Sequence, residues 1–168
     1  MFKKQTDNRV AVFFADGCEE IEGLTVVDLL FRAGIPCDMV SVSGSYQVTS
    51  SHEVTFLCNK LISEVDINAY AMLVLPGGIP GTPNLAATDV LMQAVDTFAA
   101  QGKPLAAICA APSIYAERGT SQRCSSYCQS RISACFSGEG CASLKRPCGS
   151  GWSVHYQPRR RYRRGVWP

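Results

Sequence analysis

One cysteine stands where a chain can expose a nucleophile. Cys109 follows the short apolar run at 104–108 and precedes a helix-like stretch at 111–118. A turn from strand to helix exposes a side chain at the carboxyl edge of a sheet, and the N-terminus of the following helix favours thiolate over thiol. A buried structural thiol is the alternative. Because ligands collect at the carboxyl ends of strands, we interpret Cys109 as a nucleophile, with Ala110 beside it in the same binding site.

Two glycines end another apolar run and could bind a substrate oxygen. Gly77 and Gly78 follow the strand-like residues 71–75 through a proline. Paired glycines leave backbone N–H groups open, as an oxyanion hole requires, although an ordinary turn at the end of a strand has the same composition. We therefore expect Gly77 and Gly78 to face the crevice that holds Cys109.

A carboxylate could supply the proton chemistry. Glu22 lies a short turn after the first apolar run, in the segment A-D-G-C-E-E-I-E. If it points into the crevice beside Cys109, it would be partly desolvated and could stay protonated, donating a hydrogen bond to the thiolate or acting as general acid and base. We expect Glu19 and Glu20 instead to be solvated or paired across an interface.

Alternating strand-like and helix-like stretches must bring these residues together. Continuous apolar runs predict strands, and apolar residues spaced three and four apart predict helices. The predicted strands span 9–15, 36–42, 71–75 and 104–108, a hairpin at the edge of the sheet spans 46–49 and 54–58, and helices span 20–33, 89–100 and 111–118. Strands separated by helices form a parallel sheet that is covered on both faces. The sequence therefore predicts an α/β fold with a doubly wound parallel sheet.

Charge and cysteine are distributed unevenly along the 168 residues, whose formal net charge is +2. Residues 1–119 carry 7 Lys and Arg against 13 Asp and Glu, whereas residues 120–168 carry 9 against 1, together with 5 of the 9 cysteines. Neither an export signal nor an apolar run of membrane-spanning length stands in the sequence. We therefore expect a cytoplasmic protein with reduced thiols and no membrane partner.

The basic tail has two further interpretations, as a nucleic-acid patch and as a zinc site. The run R-R-R-Y-R-R at 159–164 is also typical of solvated charge. The spacing of the cysteines fits no standard zinc pattern. This holds for those of the tail (Cys124, Cys128, Cys135, Cys141, Cys148) and for the earlier ones (Cys18, Cys37, Cys58). We expect no metal, and nucleic-acid binding is the disfavoured alternative.

Four motifs together resemble one family. A-D-G-C-E-E-I-E at 15–22, R-A-G at 32–34, L-P-G-G-I-P-G-T-P-N-L at 75–85 and A-A-I-C-A-A-P at 106–112 are similar to the ThiJ/PfpI family, in its parkinsonism-associated protein deglycase branch and bacterial ThiJ-type relatives. The resemblance covers about residues 8–119. It implies a flavodoxin-like homodimer without a cofactor, in which Cys109 is the reactive, oxidisable cysteine, Glu22 is its acidic contact, and Gly77 and Gly78 form the oxyanion hole.

The resemblance stops near Gly119. The later strands, the site histidine and the glycine-rich T-S-R-G-x-G-T segment of the family are missing from residues 120–168, and neither His52 nor His155 matches the site histidine. Reading the last two bases of each codon at 152–168 with the first base of the next permits I-T-S-R-G-V-G-T-A-V-E-F-G. We infer a shift of reading frame soon after Gly119. We therefore predict a truncated α/β domain at 1–119 and a separate, disordered basic tail at 120–168.

Two functional hypotheses follow from the resemblance. In the first, Cys109 adds to a small reactive carbonyl or a glycated protein, in glyoxalase or deglycase chemistry that protects against stress. In the second, Cys109 is the oxidised group of a non-enzymatic redox sensor or chaperone. Loss of the distal strands would leave apolar surface exposed, so an inactive truncated product is the third outcome.

Overall fold

The computed structural model describes residues 3–119 and 126–128. Its eight strands are β1 (Val10–Phe14), β2 (Cys37–Ser41), β3 (Gln47–Thr49), β4 (Thr55–Leu57), β5 (Lys60–Leu61), β6 (Met72–Leu75), β7 (Leu105–Cys109) and β8 (Ser126–Cys128). The four helices are α1 (Glu20–Arg32), α2 (Gly81–Ala86), α3 (Asp89–Gln101) and α4 (Pro112–Glu117). Short 3-10 helices at Ile62–Glu64 and Ile67–Ala69 precede β6.

The main sheet is parallel throughout, which confirms the predicted α/β class. Its strand order is β5-β2-β1-β6-β7-β8. From β1 the chain builds outward through β2 on one side, then returns to place β6 against the other side of β1. The gap between the carboxyl ends of β1 and β6 is therefore the topological switch point, where ligands bind in open α/β sheets.

Alternate residues of β1 belong to two separate cores. Phe13 packs on one face of the sheet with Leu75, Phe98 and Tyr115, in a cluster that includes α3 and α4. On the opposite face, the other side chains of β1 meet the apolar side of α1 (Val10, Val12, Phe14; Leu24, Val27, Leu30). Because both faces are covered, β1 is a continuous apolar run rather than an alternating one.

Three features differ from the predicted arrangement. The hairpin of β3 and β4 forms a two-stranded sheet of its own, and the edge of the main sheet is β5 instead. Residues 81–86, for which no element was predicted, form the short helix α2, which starts after Pro80. Residues 126–128, inside the predicted tail, pair in parallel with β7 as β8. The rest of that tail lies outside the described residues, so the domain boundary at Gly119 stays a prediction.

The buried carboxylate of Asp38 accepts hydrogen bonds from three separate segments at the amino end of the sheet. Asp38 of β2 is 4% exposed. Its Oδ1 accepts hydrogen bonds from Arg9 Nη1 at 2.8 Å and from Asn59 Nδ2 at 3.3 Å. Its Oδ2 accepts one from the Tyr70 hydroxyl at 2.9 Å. The three partners come from different segments, so one side chain joins them all.

Replacing Asp38 with alanine should lower the free energy of unfolding by about 2–3 kcal/mol, because the buried Tyr70 hydroxyl and the guanidinium of Arg9 lose their acceptor. Urea denaturation measures the loss. The matched control is Asp28→Ala, which removes a carboxylate from an exposed ion pair with Arg32 on α1 and should cost less than about 0.5 kcal/mol. An equal decrease in the free energy of unfolding in the two variants would show that the buried Asp38 network contributes no more to stability than an exposed ion pair.

Candidate functional site

The switch point collects the predicted site residues. Glu22 lies in the first turn of α1, directly after β1. Gly77 and Gly78 follow the end of β6, and Cys109 is the last residue of β7. The three segments come from neighbouring positions in the sheet, so their carboxyl ends converge.

Cys109 has a strained backbone. Its φ is +61°, in the left-handed region that non-glycine residues rarely adopt. Such a conformation costs on the order of 1–3 kcal/mol and persists only where the surrounding structure enforces it. Here the chain must turn sharply from β7 into α4, which begins at Pro112. This geometry is that of a nucleophile elbow, with the sulfur only partly buried at the edge of the sheet.

Gly77 has a role different from the predicted one. Its N–H donates to Glu22 Oε2 at 2.9 Å, so it orients the carboxyl group and is not an open donor for a substrate oxygen. A Cβ on Gly77 would lie 2.7 Å from Cys109 Cβ, 2.8 Å from Glu22 Oε2 and 2.9 Å from Ala110 N. Glycine is therefore required here for the close approach of the loop to Cys109 and Glu22.

Two other backbone N–H groups point at the sulfur. Backbone hydrogen bonding by Gly78 and Ala110 stabilises the thiolate of Cys109 and so lowers its pKa. Gly78 has φ +94°, and a Cβ there would lie 2.3 Å from Glu19 N. The backbone N–H groups that act on Cys109 are thus those of Gly78 and Ala110 rather than those of Gly77 and Gly78.

Opposing influences act on the ionisation of Cys109. Partial burial, followed by the charge of Glu22 and the hydrogen bond with it, raises the pKa of the thiol, whereas the N–H groups of Gly78 and Ala110 lower it. The net direction of the pKa is upward, contrary to the predicted activation by the helix N-terminus, because burial and then the carboxylate of Glu22 outweigh the two N–H groups.

The other described cysteines are less suited to chemistry. Burial raises the pKa of Cys18, Cys37 and Cys58 to about 12, so they remain thiols at neutral pH. All four described cysteines are free. Among the described cysteines, Cys109 is therefore the one whose ionisation is influenced by hydrogen bonds both with a carboxyl group and with the backbone N–H groups of other residues.

Replacing Glu22 with glutamine tests whether its charge acts on the Cys109 thiol. The neutral amide removes the negative charge that raises the Cys109 pKa, so alkylation of Cys109 by iodoacetamide near neutral pH should become about three- to ten-fold faster. Mass spectrometry of the Cys109 peptide measures the rate, with Asp28→Asn at the far end of α1 as the control. Unchanged or slower alkylation would show that the charge of Glu22 does not raise the pKa of the Cys109 thiol.

Glu19 and Glu20, expected to be solvated or paired across an interface, face His52 of the same chain. His52 Nδ1 lies 3.1 Å from Glu20 Oε2 and 3.6 Å from Glu19 Oε1. Within the described part of the chain these are the three potential metal ligands that converge, their ligand atoms lying within 4.8 Å of one another. The hydrogen bond between imidazole and carboxylate accounts for the contact, and we assign no ion to it.

The comparison with protein families decides the identity of the domain. The DJ-1/PfpI family matches residues 8–143. The chain belongs to the DJ-1/PfpI family. The match confirms the predicted ThiJ/PfpI membership and extends past Gly119, where the resemblance was expected to stop.

Individual relatives agree with this assignment. Protein DJ-1 homolog B of Arabidopsis thaliana is 33% identical over 109 residues, which are 65% of this chain and 25% of that protein. Protein dj-1beta of Drosophila melanogaster is 32% identical over 108 residues, or 64% of this chain and 58% of that protein. The chain thus spans between a quarter and about six tenths of the length of the curated relatives it matches.

Solved structures show the same fold. Oxidized Toxoplasma gondii DJ-1 is 36% identical with a TM-score of 0.65, over 67% of this chain and 62% of that chain. Schizosaccharomyces pombe DJ-1 is 26% identical with a TM-score of 0.69, over 83% and 77%. These similarities confirm a flavodoxin-like sheet. In the part of the chain that the structure describes, no helix is both long and apolar enough to cross a bilayer.

Proposed function

We propose that this protein is a cysteine-dependent enzyme of the glyoxalase or deglycase type, acting on small reactive carbonyls or glycated proteins in stress protection. One observation carries the proposal: Cys109 has a strained turn conformation, with the N–H groups of Gly78 and Ala110 on its sulfur and Glu22 against it. Nucleophile, anion donors and a proton carrier are then within reach of one carbonyl group.

The chemistry for an α-oxoaldehyde needs no external oxidant or reductant. The Cys109 thiolate adds to the aldehyde carbon, and a C–S bond forms while the carbonyl π bond becomes an alkoxide. Glu22 supplies the proton to that oxygen and then removes the hydrogen on the same carbon as a proton. That proton returns to the adjacent carbonyl carbon, while the new hydroxyl proton passes to the adjacent oxygen, so the first carbon becomes the carbonyl carbon of the thioester. A thioester of a 2-hydroxy acid results, and water releases the acid and regenerates the thiol. Gly78 and Ala110 donate to whichever atom, sulfur or oxygen, carries the negative charge.

The test is formation of lactate from methylglyoxal by the 168-residue protein, without added cofactor. Lactate formed in proportion to protein would support the proposal. Protein that alkylates at Cys109 yet forms no lactate, and restores no glycated amine, would refute it.

A redox sensor with holdase-type chaperone function is the second candidate, favoured by the same sulfur environment. A peroxide converts the Cys109 thiolate to a sulfenate with loss of water, and the Gly78 and Ala110 N–H groups can donate to the new anion. A solved relative carries the description "oxidized". Selective gain of oxygen at Cys109 under mild peroxide, without carbonyl turnover, would favour this function over the enzyme.

We further propose that the complete family member is a cytoplasmic homodimer, and that a frame shift near Gly119 leaves this chain only weakly active. The nucleotide sequence at codons 117–125 tests the frame shift, because one inserted or deleted base there would establish it. A soluble, cooperatively melting and fully active 168-residue protein would contradict the expected loss of activity.

A further inference from the structure

The turn between β3 and β4, residues 50–53, is held in one conformation by a buried serine. Ser50 Oγ accepts the N–H groups of His52 and Val54, each at 3.2 Å. Glu53 donates its N–H to the Ser50 carbonyl at 3.1 Å and has φ +63°, in the left-handed region. Because Ser50 is 5% exposed and fixed among these bonds, the 50–53 turn presents His52 in a defined direction.

This turn contacts the segment between β1 and α1. His52 Nδ1 reaches Glu20 Oε2 at 3.1 Å and Glu19 Oε1 at 3.6 Å. Beside it, the Ser51 N–H donates to the Cys18 carbonyl at 2.8 Å. The start of α1 is thus bound to the 50–53 turn by its backbone and by an imidazole.

The same segment supports the loop that faces Cys109. The Glu19 N–H donates to the Gly77 carbonyl at 2.9 Å, and the Gly77 N–H donates to Glu22 Oε2 at 2.9 Å. The next residue, Gly78, donates to the sulfur. A shift of Glu19 therefore moves Gly77, whose N–H orients the carboxyl partner of Cys109 and whose carbonyl shares a peptide unit with the Gly78 N–H.

We propose that His52 is a positioning residue for the Cys109 site, and that its protonation tightens that site. The inference rests on the proposed function only in taking Cys109 as the reactive group. An imidazolium attracts both carboxylates at the start of α1, whereas a neutral imidazole keeps a hydrogen bond to Glu20 alone. The charged form therefore holds Glu19 closer to the 50–53 turn and keeps the loop at Gly77 in register with Cys109.

The charges around the imidazole determine the direction of the pH dependence. The hydrogen bond with Glu20 and the charges of Glu19 and Glu20 raise the pKa of His52 above its ordinary value. The charged contact is therefore complete below the ordinary pKa and is lost as the pH rises through the raised one. The other acidic side chains of the two segments are Asp16, Glu22 and Glu53, and neither 15–22 nor 49–54 contains Lys or Arg.

The first test is the alkylation rate of Cys109 by iodoacetamide in the full chain, from about pH 6 to about pH 9. When the logarithm of the rate is plotted against pH, the alkylation rate of the wild-type protein below the His52 pKa should lie about two- to five-fold above the line extrapolated from high pH. This is the size of effect expected for one exposed ion pair. His52→Ala and His52→Gln should both follow the straight line. Lys4→Ala, which breaks an exposed ion pair with Asp7, should keep the wild-type step.

Hydrogen exchange at the Gly77 N–H separates this inference from the proposed function. Near pH 6, its protection should fall about two- to five-fold in His52→Ala and stay unchanged in Lys4→Ala. Equal protection in wild type and His52→Ala, or the same alkylation step in both, would overturn the role of His52. Failure of Cys109 to react would refute the proposed function alone, because exchange at Gly77 still decides the inference.

Discussion

Replacing Cys109 with alanine should reduce methylglyoxal turnover to the uncatalysed rate, a loss on the order of 100-fold or more even if the starting activity is weak. The nucleophile disappears, while the Gly78 and Ala110 N–H groups and Glu22 remain without a reactive atom between them. Lactate formation measures the effect. The matched control is Cys37→Ala, because burial raises the pKa of that thiol to about 12 and it lies at the opposite, amino end of β2.

The same variant separates the two candidate functions. An enzyme loses turnover in Cys109→Ala, whereas a sensor loses the gain of oxygen under peroxide and has no turnover to lose. Turnover that survives in Cys109→Ala would show that another group performs the addition, and the carbonyl mechanism through Cys109 would be wrong.

Replacing Gly77 with alanine should lower Cys109-dependent turnover about 100-fold, because a displacement of about 1 Å in a site costs a factor of that size. The new Cβ would lie 2.7 Å from Cys109 Cβ and 2.9 Å from Ala110 N, and neither atom belongs to the flexible end of a side chain. The loop must retreat, which breaks the Gly77 bond to Glu22 and withdraws the Gly78 N–H from the sulfur. We also expect a stability loss of about 1–3 kcal/mol.

Gly44→Ala is the control for the effect of a glycine substitution itself. Gly44 has φ +77°, and nothing lies within 4 Å of an added Cβ, so the change costs backbone strain without crowding the site. It should leave turnover per folded molecule unchanged. Similar losses in the two variants would show that Gly77→Ala acts through global stability, and the steric argument would fail.

Local sequence was sufficient for the main elements. The apolar run at 9–15 became β1 because a strand covered on both faces needs apolar side chains in both directions. The predicted helix at 20–33 was observed as α1, Glu20–Arg32, followed by Gly34 with φ +70°. Short strands without such patterns were not foreseen. β5 has two residues, and its place at the sheet edge depends on pairing with Val40 and Ser41.

The hairpin shows where local pattern fails. Its two strands were predicted correctly as an antiparallel pair, yet their attachment to the main sheet was wrong. Strand-like composition cannot specify which partner a strand meets, since any exposed edge offers the same backbone donors and acceptors. Helix α2, six residues long, has too few turns to produce a periodic signal.

The amino-acid sequence by itself determined the family, the parallel sheet and the candidates Cys109, Glu22, Gly77, Gly78 and Ala110, because each follows from residue type and order along the chain. Only the tertiary structure decided how their hydrogen bonds are shared. It directs the Gly77 N–H to Glu22, leaves Gly78 and Ala110 to the sulfur, and brings His52 to Glu19 and Glu20. A backbone N–H has one direction, and that direction depends on contacts between segments up to 55 residues apart.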